Sequence, residues 1–242
     1  MMHRARLIIL GVMAALSVAG CVPSMAPSPP RAAPPKDVQM ADRAREAVHT
    51  FADVVTRVEP LAEQVCREET PDLPCDFVIY VDRAPESGVN AFHMLDPQGR
   101  PAIIFTLGLI AATQNADELA FIMGHEAAHH IARHIPTGQR RAAEGAEAFA
   151  RVAQASGAGP AEIGAAAQMG ALVASREFGR QAELEADAIG TVIALRAGYD
   201  PLIGAAFFTR IPDPARAFLS THPPNAARIG VVRETLAALG PS

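Results

Sequence analysis

The sequence predicts an α+β fold that is mainly helical, with a small β-sheet. Half of the 242 residues are hydrophobic, yet only 5% are aromatic and none is Trp. Much of the apolar content is therefore Ala, the strongest helix former. Runs rich in β-branched and aromatic residues cluster between residues 77 and 106, where short strands are expected. On either side, apolar residues recur at helical spacing between capping and breaking signals. The length suits one domain of about 200 residues with its own core.

Residues 1–20 stand apart from that domain. Arg4 and Arg6 precede an apolar run, Leu7 to Ala19, which is shorter than the ~20 residues of a membrane span and fits the core of a signal peptide. The run ends Val18-Ala19-Gly20-Cys21. Small residues directly before a Cys resemble a bacterial lipobox, which implies cleavage before Cys21 and lipidation of Cys21. Val22 in place of Asp then implies sorting to the outer membrane. An ordinary secretory signal followed by a coincidental Cys is the alternative. Cleavage removes two Arg and no acid, taking the formal charge from −5 to −7. An acidic chain argues against nucleic-acid binding, which leaves a basic footprint.

Residues 21–36 hold six prolines and read as a semi-extended tether of at most about 50 Å at polyproline rise. The folded domain is expected over residues 37–242. Helical spacing covers 39–65. Cys66 and Cys75 follow, an even number in an exported chain, which suggests one disulfide; two free buried thiols are the alternative. Strands are expected at Phe77–Val81, Val89–Met94 and Ala102–Thr106, the last two joined by a turn at Asp96-Pro97-Gln98-Gly99. Asn115 with Glu118 three residues on marks a helix start, the helix running to about His134 with Pro136 as its stop. Two helices with a loop at Gly157–Pro160 are expected over 141–175, then helices over Ser175–Ala197, Pro201–Arg210 and Pro224–Leu239.

Chemistry concentrates in Met123–His134, MGHEAAHHIARH, which holds four of the chain's eight histidines. His125 and His129 are four apart, so on a helix both rings project to one side, as one zinc ion requires. Glu126, beside the first of them, is placed to act on water rather than on the metal, the arrangement of an HExxH site in which zinc acidifies water and the Glu takes its proton. On a straight helix His130 and His134 point about 140° and 180° away from His125 and are expected to be satisfied or solvent-facing. A third ligand is sought in Glu183-Leu184-Glu185-Ala186-Asp187 on a later helix. A Glu from this helix would complete a His₂Glu set, and Asp187, one turn beyond Glu183 on the same face, could take the second ring nitrogen of a ligand His. A solvated acidic face, with Glu185 as a competing ligand, is the alternative.

HExxH, a later ExxAD, then Thr221-His222-Pro223-Pro224 with Arg228-Ile229 together resemble the HtpX/BepA-like zinc metalloendopeptidases, relatives of the CAAX prenyl protease. The likeness takes in Val89-Asn90-Ala91-Phe92 and the strand after it, and covers roughly residues 40–235. It implies a zincin-type metalloprotease domain, with the small sheet beside the HExxH helix and one Zn²⁺ per chain on His125, His129 and Glu183. Glu126 is the implied base and Asp187 the residue supporting the ligands. His222 is implied to lie over the site, either stabilising the transition state or plugging the open zinc position. Arg228 is implied to orient the loop or bind the developing oxyanion, a helix-surface Arg being the alternative. The sequence departs from the family after Asn90-Ala91-Phe92, where His93-Met94-Leu95-Asp96 replaces a Gly-rich turn, and it lacks the family's membrane helices.

The resulting expectation is an exported, lipid-anchored endopeptidase of the periplasm. It would act on unfolded or misassembled envelope proteins that add as a strand at a sheet edge, with envelope assembly proteins as partners. The competing expectation is an assembly factor or chaperone with a plugged, structural zinc.

Overall fold

A computed structural model of the chain describes residues 36–212 and 223–240. Helix α1 (Lys36–Glu69) turns Phe51, Val54, Val58, Ala62 and Val65 to the core, a stripe at three- and four-residue spacing. The disulfide Cys66–Cys75, with Cα atoms 5.7 Å apart, ties its last turn to the segment that enters the sheet.

The sheet has three strands, β1 (Val78–Asp82), β2 (Ala91–Leu95) and β3 (Pro101–Thr106), in the order β1-β3-β2. Central β3 is buried along its whole length, which is why its sequence shows no alternation. β1 lies parallel to it and β2 antiparallel. The β2–β3 turn forms where expected. Asp96 Oδ1 accepts from the amides of Gln98 and Arg100, Arg100 Nε donates to Asp96 Oδ2, and Gly99 takes φ 80°.

β3 runs directly into α2 (Leu107–Ala112), a short helix the sequence did not announce. Helix α3 (Ala116–Ile131) follows. Its start is the expected one, since the Asn115 side chain accepts from the Glu118 amide and the Glu118 carboxylate accepts from the Gln114 amide. Glu118 is buried and also paired with Arg210. α3 is the central helix, packed on α1, on β2 and β3, and on α5 (Pro160–Arg196).

Its end differs from expectation. α3 stops at Ile131, Arg133 adopts a left-handed conformation (φ 56°, ψ 37°), and α4 (His134–Ala155) begins at once. Pro136 is no stop. It lies in the first turn of α4, where a missing N–H costs nothing. The loop at Gly157–Gly159 is as expected, but α5 runs unbroken from Pro160 through the whole acidic motif to Arg196. The chain closes with α6 (Pro201–Ala205), a 3₁₀ turn to Thr209, and α7 (Asn225–Leu239). Among the described residues no helix is long and apolar enough to cross a membrane.

Candidate active site

The site forms where α3, α5 and α7 meet. Gly124 and Gly190 let the backbones of α3 and α5 touch. A β-carbon on Gly124 would fall 2.8 Å from the Gly190 carbonyl oxygen, closer than packed atoms tolerate. Asp187 and Glu183 lie one and two turns back along α5 from that contact, and His125 and His129 lie on the facing turns of α3.

The Nε2 atoms of His125 and His129 face each other at 3.1 Å. Glu183 completes the group, with Oε1 3.5 Å from His129 Nε2 and Oε2 3.6 Å from His125 Nε2. Ligands about 2.0–2.2 Å from a tetrahedral metal lie roughly 3.3–3.5 Å from one another, so two imidazole nitrogens and a carboxylate at these separations fit one such ion. These three residues form a group able to hold a metal ion.

The supporting contacts are as specific as the ligands. His125 Nδ1 lies 2.9 Å from Asp187 Oδ1. Asp187, itself buried, accepts from Arg228 twice, Nε to Oδ2 at 2.8 Å and Nη2 to Oδ1 at 2.7 Å. Arg228 is buried too, its guanidinium 3.8 Å from the centre of the Phe208 ring. It is therefore neither a surface residue nor aimed into open solvent; it locks the carboxylate that holds His125.

Burial is the largest influence on His125, opposing the charged ring, and Arg228 adds to it. Hydrogen bonds to Asp187 and Glu183 outweigh both and raise its pKa to about 9. His129 goes the other way. Burial, then the charge of His125, hold it far below its ordinary value, which favours the neutral ring that a metal ligand needs. Glu126 is half-buried. Burial, followed by the neighbouring Glu183 charge, raises its pKa, which moves a carboxylate toward useful basicity near neutral pH. The backbone N–H of His93 lies close enough to this carboxylate to oppose the rise, as does the charge of His125.

That proximity places Glu126 beside the sheet. Asn90 bonds to Thr106 across the ladder, so the alternation of an antiparallel pair turns the backbone groups of Ala91, His93 and Leu95 away from β3. β2 is an edge strand, and that edge borders a cleft of about 790 Å³ floored by His125, Glu126, His129 and Glu183.

Residues 49–236 match the sequence profile of Peptidase family M48. The chain belongs to peptidase family M48. Its domain is that of a metalloprotease, of the zincin type, over nearly the span marked out by the sequence motifs. It is 31% identical over 144 residues to the mitochondrial metalloendopeptidase OMA1 of Arabidopsis thaliana, covering 58% of this chain and 28% of that protein. It is 31% identical over 162 residues to the beta-barrel assembly-enhancing protease of Escherichia coli K12, covering 60% and 32%. To the putative beta-barrel assembly-enhancing protease of Vibrio cholerae it is 34% identical over 177 residues, covering 67% and 35%. The chain thus spans about a third of the length of these relatives.

Within the M48 domain, the structure gathers His125, Glu126, His129, Glu183, Asp187 and Arg228 at one place. Glu185 is not in the metal group; its side chain is 60% exposed and points to His134. His222 and Cys21 lie outside the described residues. The expectation for His130 holds, since its Nε2 lies 2.7 Å from the Pro74 carbonyl oxygen. His134 is satisfied too, with Nε2 3.3 Å from Glu185 Oε2, but its expected direction needs correction. The left-handed Arg133 ends the helix, so the straight-helix geometry does not apply, and His134 turns back with its Nδ1 2.8 Å from His129 Nδ1.

Proposed function

We propose that the protein is a zinc endopeptidase of the cell envelope that cleaves extended segments of unfolded or misassembled proteins. The observation that carries this is the convergence of a His₂Glu ligand set, an adjacent carboxylate and a sheet edge around one cleft. His125, His129 and Glu183 hold one zinc ion, which supplies Lewis acidity that activates water at neutral pH and polarises the scissile carbonyl. Glu126 takes a proton from the attacking water and returns it to the leaving amine. Asp187, held by Arg228, keeps the His125 ring in the tautomer whose Nε2 is free to ligate. The outward backbone groups of β2 bind substrate as an added strand, which selects chain already extended.

In the same reading residues 1–20 direct export, Cys21 carries the lipid that anchors the protein to the periplasmic face of the outer membrane, and residues 21–36 hold the domain off it. Envelope assembly proteins are the proposed partners, with support from relatives named beta-barrel assembly-enhancing protease. The test is cleavage of unfolded casein by the zinc-loaded protein beside Glu126→Gln. Zinc retained by both and cleavage by the first alone is the expected result; appreciable cleavage by Glu126→Gln would sink the mechanism.

A further inference from the structure

Arg133 is the one non-glycine residue with positive φ among the described residues, a conformation that a side chain with a β-carbon disfavours. Strain of this kind persists where the surroundings impose it. Here the Arg133 guanidinium is paired with Asp72, and the preceding turn is pinned by His130 against the Pro74 carbonyl. The consequence is the position of His134. It is buried at 5% exposure, with Nδ1 2.8 Å from His129 Nδ1, Nε2 3.3 Å from Glu185 Oε2, and Phe178 edge-on to its ring at 5.9 Å.

The donors and acceptors in this chain have only one consistent order. A His129 that offers its Nε2 lone pair to a metal must carry its proton on Nδ1. Nδ1–H then donates to His134 Nδ1, which must be the unprotonated nitrogen of that ring. The His134 proton sits on Nε2 and is donated to Glu185. We propose that His134, backed by Glu185, is a positioning residue of the metal centre, fixing the tautomer and ring plane of His129 as Asp187 does for His125. This rests on the zinc reading given above.

The two supports differ in kind. His125 leans on a buried carboxylate held by an arginine, whereas His129 leans on a neutral ring whose own partner is largely in solvent. Losing the His134 acceptor strands the His129 N–H in a buried place. Losing Glu185 leaves His134 able to donate to water, so its effect is the smaller.

The experiment is zinc affinity of the whole protein, by competition with a chromogenic chelator, for wild type, His134→Phe, His134→Gln and Glu185→Ala. Thermal melts of the metal-free forms report folding, and the visible spectrum of the Co²⁺-loaded forms reports ligand geometry. His134→Phe keeps the ring volume and loses the acceptor; affinity should fall about 10–100-fold and the Co²⁺ spectrum should change. His134→Gln supplies an amide oxygen and should recover most of the loss, and Glu185→Ala should lose less than His134→Phe. Wild-type affinity in His134→Phe, or equal weakening in Phe and Gln variants, would overturn the proposal. A wild-type protein that binds no zinc would overturn the zinc reading itself, a separate outcome.

Discussion

Gly190 sits against the backbone of His125: a β-carbon at Gly190 would lie 2.8 Å from the His125 amide nitrogen and 3.0 Å from its Cα. Neither neighbour is a flexible side chain that could give way. The closeness of α3 and α5 that brings Glu183 within reach of both histidines therefore depends on a hydrogen atom at this position. Gly190→Ala should destabilise the protein by about 1–3 kcal/mol through overpacking and weaken zinc binding in the same protein. Gly230→Ala in α7, where the added carbon meets nothing within 4 Å, should instead be neutral or stabilising by up to about 1 kcal/mol. Thermal unfolding and zinc titration of the two variants separate a general helix effect from the local one.

Arg228 is the counter-charge of a fully buried carboxylate. Arg228→Met would strip the buried Asp187 of its counter-charge and two of its hydrogen bonds, leaving His125 Nδ1 as its remaining partner, a loss of up to about 3–5 kcal/mol. Arg228→Lys should recover little, because one ammonium cannot reproduce the two parallel hydrogen bonds at 2.7 and 2.8 Å. The double variant Arg228→Met with Asp187→Asn should be more stable than Arg228→Met alone. Equal stability of the two would show that Asp187 does not depend on Arg228. Denaturant unfolding of the metal-free proteins makes the comparison.

The Cys66–Cys75 disulfide closes a loop of nine residues in sequence separation, for which chain entropy predicts about 2–3 kcal/mol of stabilisation. It lies between α1 and β1 and does not line the cleft; Asp72 and Pro74 inside its loop keep their contacts with Arg133 and His130 as long as the protein is folded. Cys66→Ser with Cys75→Ser should lower the melting temperature while leaving casein cleavage at low temperature near wild type. Loss of cleavage in a protein still folded at that temperature would contradict this separation.

The motif resemblance implies one of two roles for His222, which lies outside the described residues. His222→Ala should lower cleavage if the ring acts on the transition state and raise it if the ring plugs the fourth metal position. Measuring casein cleavage by this variant beside wild type, at equal zinc content, gives the sign.

Several parts of this architecture were legible because they rest on short-range rules. The i, i+4 spacing of His125 with His129, and of Glu183 with Asp187, fixed which side chains share a face. Asn115 with Glu118, and Asp96 with Gly99, specified a cap and a turn locally. What escaped was set by tertiary contact. Nothing in the sequence marks Arg133 as left-handed, since the partners of Arg133 and of His130 at this turn, Asp72 and Pro74, lie about sixty residues away. Without that break His134 appeared to point away from the metal, and Pro136 read as a stop rather than as a first-turn proline. The contact of Gly124 with Gly190 was hidden for the same reason, because neither glycine is unusual until the two helices cross.

The burial of His93 should be visible in pH dependence. Both ring nitrogens are buried and have no hydrogen-bond partner among the described residues; the ring lies 5.2 Å from that of His130. Burial, then the charges of His130 and His134, push its pKa down to about 4. Between about pH 6.5 and pH 4 the unfolded chain therefore binds a proton at this residue that the folded chain refuses, so stability falls as pH falls through that window. His93→Leu removes the group from both states and should flatten that part of the stability curve relative to wild type, with the difference vanishing above about pH 7 except for a constant offset. Because the unsatisfied ring N–H also disappears, the offset should favour the variant. Parallel wild-type and His93→Leu curves from pH 4 to 7, measured by urea unfolding of the metal-free proteins, would show instead that the ring is solvated in the folded state.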